Sequence, residues 1–230
     1  MLDIYTISTM KHILLLGAQG MLGTAIEHLV DTDMYRLTAI DKGTLDITNA
    51  SAVHDYVTEF KPDIIINCAA YNAVDAIETE ETAYDIGKNV NGEAVGYLGT
   101  AAKAVGATIV HVSTDYVFGN DQSTPIAEDA TPAPLSRYAE TKLLGETRFT
   151  ESGVDGYIVR ISRLFGAPGR GDGSKTSFVH LMRTLVEEKG LTELKVVNDQ
   201  TSSPSYAPDV AAFIFALLAD AAPYGIYHGA

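Results

Sequence analysis

The sequence predicts an α/β fold, a Rossmann-type doubly wound parallel sheet with a smaller C-terminal lobe. Short apolar runs alternate with helix-length patterns along the chain, which is typical of βαβ units. A glycine-rich turn at residues 17–23 follows the first apolar run, and hydroxyl or acidic residues follow later ones. With 230 residues, of which 46% are hydrophobic, the chain has room for one large α/β domain or for a domain with a small lobe.

The apolar runs predict six strands and the longer patterns predict six helices. The strands are expected at residues 12–16, 36–40, 63–67, 108–112, 157–161 and 194–197. The helices are expected at residues 21–30, 51–60, about 80–105, 138–151, 176–189 and 209–219. Asn49 or Thr48 can cap the second helix, and Gly106 can end the third.

The chain divides into three predicted regions. Residues 1–10 are an N-terminal extension, residues 11–160 form the dinucleotide-binding domain, and residues 161–230 contribute both to the sheet and to a second lobe. Residues 119–135, rich in proline and acidic residues, predict a loop before the fourth helix, and residues 166–173 predict a second loop. Both loops follow strands, where open α/β sheets bind their ligands.

The glycine-rich turn predicts a dinucleotide cofactor. Gly17, Gly20 and Gly23 follow a strand and open a helix, so they can allow a tight turn, close approach of a pyrophosphate and close helix packing. Asp41 ends the second strand, where a carboxylate would bind the adenosine ribose hydroxyls, whereas the adjacent Lys42 could neutralise a 2′-phosphate. We expect NADH to be used with NADPH tolerated.

A second group of residues predicts carbonyl reduction. Tyr138 and Lys142 are one helical turn apart and can face one pocket, and Thr114 brings a hydroxyl from a strand end. An ammonium group beside the phenol would lower its pKa and let it donate a proton while hydride arrives from the cofactor. Tyr84 and Lys88 share the same spacing but have no such strand end behind them, so Tyr84 is interpreted as a helix-surface residue.

Composition disfavours several other classes of protein. A net charge of −14 argues against nucleic-acid or acidic-membrane partners, which need a basic face. The single cysteine, Cys68, excludes an internal disulfide and predicts a small buried residue at a strand end. The six histidines have no ligand-like spacing, so no metal site is predicted. Without a long apolar run or a leader signature, a cytoplasmic location is expected.

With these residues in view, the chain resembles the dTDP-4-dehydrorhamnose reductase family of the extended short-chain dehydrogenase/reductases. The motifs that carry the resemblance are GAQGMLG at 17–23, LDIT at 45–48, NCAAYNAVD at 67–75, STDYVF at 113–118, YAETKLLGE at 138–146 and VNDQ at 197–200. The resemblance implies reduction at C4 of dTDP-4-dehydro-L-rhamnose with NADH or NADPH. It also implies a homodimer, with Mg²⁺ at the dimer interface in some members.

The resemblance also implies roles for individual residues. Tyr138 would be the proton donor, Lys142 would tune it and hold the nicotinamide ribose, and Thr114 would hydrogen-bond the substrate carbonyl. The cofactor would be bound by Gly17, Gly20, Met21, Leu22, Gly23, Asp41, Asp46, Ile47, Ala69, Ala70, Tyr71, Tyr138 and Lys142. The substrate would be bound by Val74, Thr114, Asp115, Tyr116 and Arg163.

The sequence departs from the family pattern in three places. Arg163 stands where the family usually has a tryptophan that packs on the substrate, residues 199–205 read DQTSSPS in place of DQxGxPT, and the C-terminal substrate lobe looks truncated at residue 230. Two alternatives therefore stay open. One is a non-catalytic nucleotide-binding regulatory subunit resembling the methionine adenosyltransferase β subunit, and the other is an NAD-dependent sugar-nucleotide epimerase or dehydratase.

Overall fold

In the computed structural model, residues 10–119, 124–171, 176–198 and 201–230 are described. They form six strands: β1 Lys11–Leu16, β2 Tyr35–Ile40, β3 Ile64–Asn67, β4 Thr108–Thr114, β5 Gly156–Ile161 and β6 Gly225–His228. The α-helices are α1 Met21–Leu29, α2 Ala50–Phe60, α3 Val74–Thr79, α4 Glu81–Gly87, α5 Ala94–Val105, α6 Arg137–Ser152, α7 Phe178–Arg183 and α8 Ala207–Ala219. Two π-helical turns, Lys88–Glu93 and Thr184–Glu188, and one 3₁₀ turn, Asp115–Val117, complete them.

The strands form one parallel sheet in the order β2-β1-β3-β4-β5-β6. This arrangement confirms the predicted Rossmann-type fold. The chain runs from β1 to β2 on one side of β1 and then crosses back to β3 on the other, so the switch point lies between the carboxyl ends of β1 and β3. The predicted ligand edge is therefore the edge that carries the glycine-rich turn.

Alternate residues of β1 point into two separate cores. Ile13 and Leu15 pack against α1 and α8, whereas Leu14 and Leu16 pack against α2 and α5. All four side chains are buried because helices cover both faces of a doubly wound sheet. This explains why the strand reads as an uninterrupted apolar run.

One predicted strand was wrong, and two predicted helices are present with π-helical turns within them. Residues 194–197 are not a strand, and Val197 is 68% exposed. The sixth strand is instead β6, which pairs with β5 near the end of the chain. The single long helix at 80–105 is interrupted by the π-helical turn Lys88–Glu93, and the helix at 176–189 begins as α7 and ends as a π-helical turn.

The predicted helix ends are in place at two positions. The Asn49 side chain caps α2 by accepting from the Ala52 amide at 3.1 Å, and Gly106 ends α5 in the left-handed region at φ 73°. Of the two predicted loops, residues 120–123 and 172–173 lie outside the described residues, as do residues 1–9 of the extension and Asp199 and Gln200.

Candidate active site

A cavity of about 1450 Å³ opens at the carboxyl edge of the sheet, over the switch point. It brings together nearly all the predicted site residues: Gly17, Gly20, Met21, Leu22, Gly23, Asp41, Asp46, Ile47, Ala69, Ala70, Tyr71, Val74, Thr114, Tyr116, Tyr138, Lys142 and Arg163. Asp115 is not among the lining residues, because its carboxylate turns back to accept from the Thr114 hydroxyl at 3.2 Å.

Close packing of the backbone around the turn requires glycine at positions 17 and 23. Gly17 has φ 73°, and a Cβ there would lie 2.7 Å from the Ala69 backbone nitrogen. A Cβ at Gly23 would collide with the Gly17 carbonyl oxygen and lie 2.7 Å from Ala18 Cα. The turn therefore lets β1, β3 and α1 approach one another closely. Gly20 is the N-cap of α1 and has no side chain to satisfy the first amides, which leaves them able to bind a phosphate.

Asp41 lies at the end of β2, and its two carboxylate oxygens have separate partners. Oδ1 accepts from the Gly43 amide at 2.9 Å, and Oδ2 accepts from the Gln19 side-chain amide. The Gln19 carbonyl in turn accepts from the amide of Arg170 at 2.8 Å, so the loop after β5 rests on the glycine-rich turn. Lys42 is 83% exposed at the cavity edge, and its ammonium lies 4.0 Å from Asp46 Oδ2.

Asp46 has a local structural role. Its carboxylate accepts from the Thr48 amide at 3.0 Å and from the Thr48 hydroxyl at 2.7 Å, and these bonds lower its pKa below the ordinary value. The side chain therefore holds the turn before α2 while it lines the cavity. Its predicted contact with an adenine remains a prediction.

Tyr138 lies in the first turn of α6 and is almost completely buried. Its hydroxyl donates to Asn72 Oδ1 at 3.2 Å, and its ring meets the Tyr116 ring edge-on with centroids 6.0 Å apart. Burial, followed by the nearby Tyr116 and Asp115, raises the pKa of the phenol above its ordinary value. The predicted lowering by a neighbouring ammonium is wrong in direction: burial raises the pKa of the phenol, and Lys142 is not among the groups that act on it.

Lys142 reaches the cavity from the next turn of α6 and is 2% exposed. Its ammonium donates to the Val112 carbonyl oxygen of β4 at 2.8 Å. Burial lowers the pKa of Lys142 to about 8, while the Glu146 carboxylate and Cys68 act in the opposite direction. The lysine is thus fixed to the strand next to Thr114 and is close to losing its charge in the physiological range.

Thr114 ends β4 and connects it to the following 3₁₀ turn. Its hydroxyl oxygen accepts from the Tyr116 amide at 3.2 Å, and its proton goes to Asp115. These bonds fix the hydroxyl at the cavity wall, on the same strand whose Val112 carbonyl binds Lys142. Thr114, Tyr138 and Lys142 therefore converge on one cavity, as the sequence predicts.

Two residues that hold α6 in place were not predicted. The Glu78 carboxylate accepts from the amides of Arg137 at 3.1 Å and Tyr138 at 3.0 Å, while Ser136 caps the next amide. Glu78 lies on α3, so it ties the segment after β3 to the helix that carries Tyr138. The pairing spans about sixty residues of chain, and no local pattern in the sequence signals it.

Asn91 is the second residue that sequence reasoning missed. It is fully buried in the π-helical turn Lys88–Glu93. Its side chain pairs with the Tyr71 backbone, accepting from the amide at 2.8 Å and donating to the carbonyl at 3.0 Å, and it also donates to Thr141 Oγ1 at 3.0 Å. Asn91 therefore fixes the loop after β3 against α6. The π-helical turn that carries Asn91 is itself a feature that is frequent at functional sites.

Tyr84 and Lys88, the second pair with the tyrosine–lysine spacing, do not line the cavity, whereas Cys68 does. The Tyr84 hydroxyl donates to Glu140 at 2.9 Å, and the Lys88 ammonium lies 4.7 Å from the Tyr84 ring centre, away from the cavity lining. Cys68 lines the cavity and is partly buried, and burial raises the pKa of its thiol to about 12. Within the described part of the chain, no group of three or more acidic, histidine or cysteine side chains could hold a metal ion.

Arg163 follows β5 in the left-handed region, with φ 37°, and lines the cavity on the side of the loop at 166–171. Its predicted contact with the substrate remains a prediction. None of the helices among the described residues has both the length and the apolar character needed to cross a membrane.

Comparison with known proteins gives a consistent result. The family described as RmlD substrate binding domain matches residues 10–230. A dTDP-4-dehydrorhamnose reductase of Streptomyces griseus is 40% identical over 220 residues, which cover 94% of this chain and 69% of that protein. A second, from Aggregatibacter actinomycetemcomitans, is 37% identical over 226 residues, or 95% of this chain and 73% of that protein.

A solved structure gives the same result. The crystal structure of dTDP-4-dehydrorhamnose reductase from Bacillus anthracis in complex with NADP superimposes with a TM-score of 0.87 and 35% identity, over 96% of this chain and 74% of that one. The chain thus spans roughly seven tenths of the length of these relatives.

Proposed function

The chain belongs to the dTDP-4-dehydrorhamnose reductase family, and from that premise we propose that it is an NAD(P)H-dependent sugar-nucleotide reductase. The reaction is reduction of the 4-keto group of dTDP-4-dehydro-L-rhamnose to give dTDP-L-rhamnose. The observation that carries the proposal is the convergence of Tyr138, Lys142 and Thr114 on the cavity that also holds the glycine-rich turn. A proton donor and a dinucleotide site then face the same space.

The cofactor supplies the hydride, and the residues around the cavity orient it. The free amides at the start of α1 suit a pyrophosphate, and the Asp41 carboxylate suits ribose hydroxyls. Exposed Lys42 lies beside Asp41 and can meet a 2′-phosphate, which supports use of both NADH and NADPH. Lys142 lines the same cavity, and its ammonium is the proposed partner of the nicotinamide ribose.

Proton delivery is assigned to Tyr138. Hydride transfer to C4 leaves a negative charge on the substrate oxygen, and the Tyr138 hydroxyl gives that oxygen its proton. Because burial raises the pKa of the phenol, Tyr138 stays protonated at neutral pH until the charge develops. Thr114 would turn its hydroxyl from Asp115 to donate to the same carbonyl, and that turn would release Asp115 towards the sugar. Val74, Tyr116 and Arg163, which line the cavity, are the other proposed sugar contacts.

Two further properties are proposed with the activity. We expect a homodimer, which the family resemblance implies, and a cytoplasmic enzyme, whose charge of −14 favours neither nucleic acid nor an acidic membrane as a partner. Light scattering during size-exclusion chromatography measures the assembly directly.

The decisive experiment is turnover by the purified protein. Loss of reduced-nicotinamide absorbance is followed with dTDP-4-dehydro-L-rhamnose and either NADH or NADPH. Tyr138→Phe should lower kcat by at least ~10²-fold while the Kd for the cofactor changes little, because only proton donation is lost. Tyr84→Phe is the matched control, since Tyr84 has the same spacing to a lysine but does not line the cavity, and its hydroxyl bonds to Glu140.

The two alternatives give different results in this assay. Cofactor binding without turnover by the native protein would support a regulatory nucleotide-binding subunit. Cofactor that stays bound through purification, with interconversion of sugar nucleotides and no net oxidation of NAD(P)H, would support an epimerase or a dehydratase. Equal rates for native protein and Tyr138→Phe would mean that the acid is another residue.

A further inference from the structure

Behind the cavity, α6 carries a buried ion pair that the proposed chemistry does not use. Glu146 is 4% exposed and lies one turn after Lys142. Its carboxylate accepts from Arg160 through Nε at 2.9 Å and Nη2 at 2.7 Å, and from the Ser113 hydroxyl at 2.6 Å. Arg160 comes from β5 and Ser113 from β4, so three elements meet at one carboxylate.

The surroundings of Arg160 extend this group of contacts. Its guanidinium also donates to the Glu128 carbonyl oxygen at 3.2 Å and lies 4.8 Å from the centre of the Phe118 ring. Arg160 is 2% exposed, so both members of the pair have lost most of their hydration. Burying two charges costs several kcal/mol per ion before their attraction is counted, and an apolar pair of similar volume is often as stable. Stability alone therefore does not explain why charges stand here.

The groups that face Lys142 indicate what the carboxylate does. They are Glu146, one turn after Lys142 on α6, His111 on β4 and Cys68 after β3, with Tyr138 one turn before Lys142 on the same helix. Burial lowers the pKa of His111 well below its ordinary value and raises that of Cys68 to about 12, so both are uncharged between about pH 7 and 10. Burial also keeps the Tyr138 phenol protonated. Glu146 remains as the charge that opposes desolvation of the ammonium.

We propose that Glu146, held in place by Arg160 and Ser113, is a positioning residue that supplies the counter-charge for the Lys142 ammonium. Arg160 takes part by partly neutralising the carboxylate, so that the pair sets how strongly the ammonium is favoured. The charge on Lys142 is then fixed by a group outside the cavity wall, which no ligand displaces. The effect of Glu146 on catalysis rests on the proposed function, whereas its effect on the protonation of Lys142 does not.

The geometry gives the two members of the pair opposite effects. Glu146→Gln leaves two buried cations without a counter-charge, so the pKa of Lys142 should fall. Arg160→Met leaves the carboxylate facing Lys142 alone, with the Ser113 hydroxyl still donating to it, so the pKa of Lys142 should rise. At an effective dielectric constant of about 20, a unit charge on the order of 10 Å from any titrating group changes its pKa by about one unit, and this sets the size of the expected shifts. Both changes break the same ion pair, so a purely structural role would move Lys142 in the same direction in both.

The test is an NMR titration of Lys142 in the full chain without added ligands. Carbon–proton spectra of ¹³C-lysine-labelled protein are recorded from about pH 6 to 11, and the Lys142 signal is assigned by its loss in Lys142→Met. We expect a native midpoint near 8, a midpoint lower by about one unit in Glu146→Gln, and one higher by about one unit in Arg160→Met. Thermal melting of each variant confirms that the folded protein is titrated.

A matched control lies on the same helix. Arg148 on α6 forms a two-pronged ion pair with Glu93, at 2.8 and 3.0 Å, that faces away from the cavity lining. Glu93→Gln removes a more exposed two-pronged pair on the same helix, where Arg148 keeps its bond to Glu151 at 2.6 Å, and should leave the Lys142 midpoint unchanged. The proposal is overturned if the midpoint moves in the same direction in Glu146→Gln and Arg160→Met, or if neither moves it.

Activity separates this proposal from the proposed function. If the protein turns over substrate, the alkaline limb of its kcat profile should move with the NMR midpoint, down in Glu146→Gln. If the protein binds cofactor without turnover, the reductase proposal fails while the midpoints still decide the role of Glu146. For an unstable Arg160→Met, Arg160→Gln gives the same charge change, and its upward shift is required in the same way.

Discussion

Asn91 offers the sharpest test of how the fold holds the site, because one buried side chain links the loop after β3 to α6. Asn91→Ala removes both bonds to the Tyr71 backbone and the one to Thr141. The Thr141 hydroxyl keeps its bond to the Tyr138 carbonyl at 2.7 Å, so the main loss is two unsatisfied backbone groups. At about 1–1.5 kcal/mol for each, the free energy of unfolding should fall by about 2–3 kcal/mol.

That loss should leave the protein folded, since domains of this kind have about 5–15 kcal/mol of stability. Tyr71 follows Ala69 and Ala70 in the cavity wall, so the loosened loop should also weaken NADP⁺ binding by several-fold. Urea unfolding measures the first effect and calorimetric titration the second. Asn89→Ala, an exposed position in the same π-helical turn, is the matched control and should change neither. An Asn91→Ala protein within about 0.5 kcal/mol of the native stability would refute the reasoning.

Two further predictions concern the glycine-rich turn and Lys142. Gly23→Ala should weaken NADP⁺ binding by at least ~10-fold, because its Cβ would lie 2.7 Å from Ala18 Cα; a calorimetric Kd within twofold of native would contradict it, and Gly119→Ala, with nothing nearer than 3.5 Å, is the control. Lys142→Met should raise the free energy of unfolding at pH 7 by about 2 kcal/mol while lowering turnover. The lysine pKa is about 8 against an ordinary 10.5, so the unfolded chain binds more protons between those values and native stability should rise from pH 8 to 10; urea unfolding of Lys142→Met should lack that rise.

The sequence predicts most of the sheet because its strands are buried on both faces. β1 to β5 appear as short apolar runs, each within one or two residues of its observed bounds. The run at 194–197 has the same composition but lies at the surface, where nothing in its pattern distinguishes it. β6 has only four residues and no apolar run, and it becomes a strand because β5 offers it a hydrogen-bonding edge.

Site residues could be predicted where local sequence determines their position, and were missed where contacts between distant parts of the chain determine it. Glycine spacing and strand ends are local, so the cavity wall could be predicted residue by residue. Glu78 and Asn91 act across large separations in sequence, and their partners are known only once the chain has folded. The interruption of the long helix belongs here too, since the π-helical turn is stabilised by what Asn91 reaches and not by helix propensity.

The sequence spacing of Tyr138 and Lys142 predicts their positions but not their protonation states. Tyr138 and Lys142 do share a helix face, but burial acts on both, and it favours the uncharged form of each. For the phenol that form is the proton donor, so desolvation assists a reduction and disfavours the reverse oxidation at neutral pH. For Lys142 the uncharged form is the inactive one, and burial in the cavity without a nearby carboxylate would favour that form. Because burial keeps Tyr138 protonated, loss of the Lys142 charge should set the upper pH limit of the reaction. In our proposal the Glu146 carboxylate, behind the cavity wall, determines the pH at which that charge is lost.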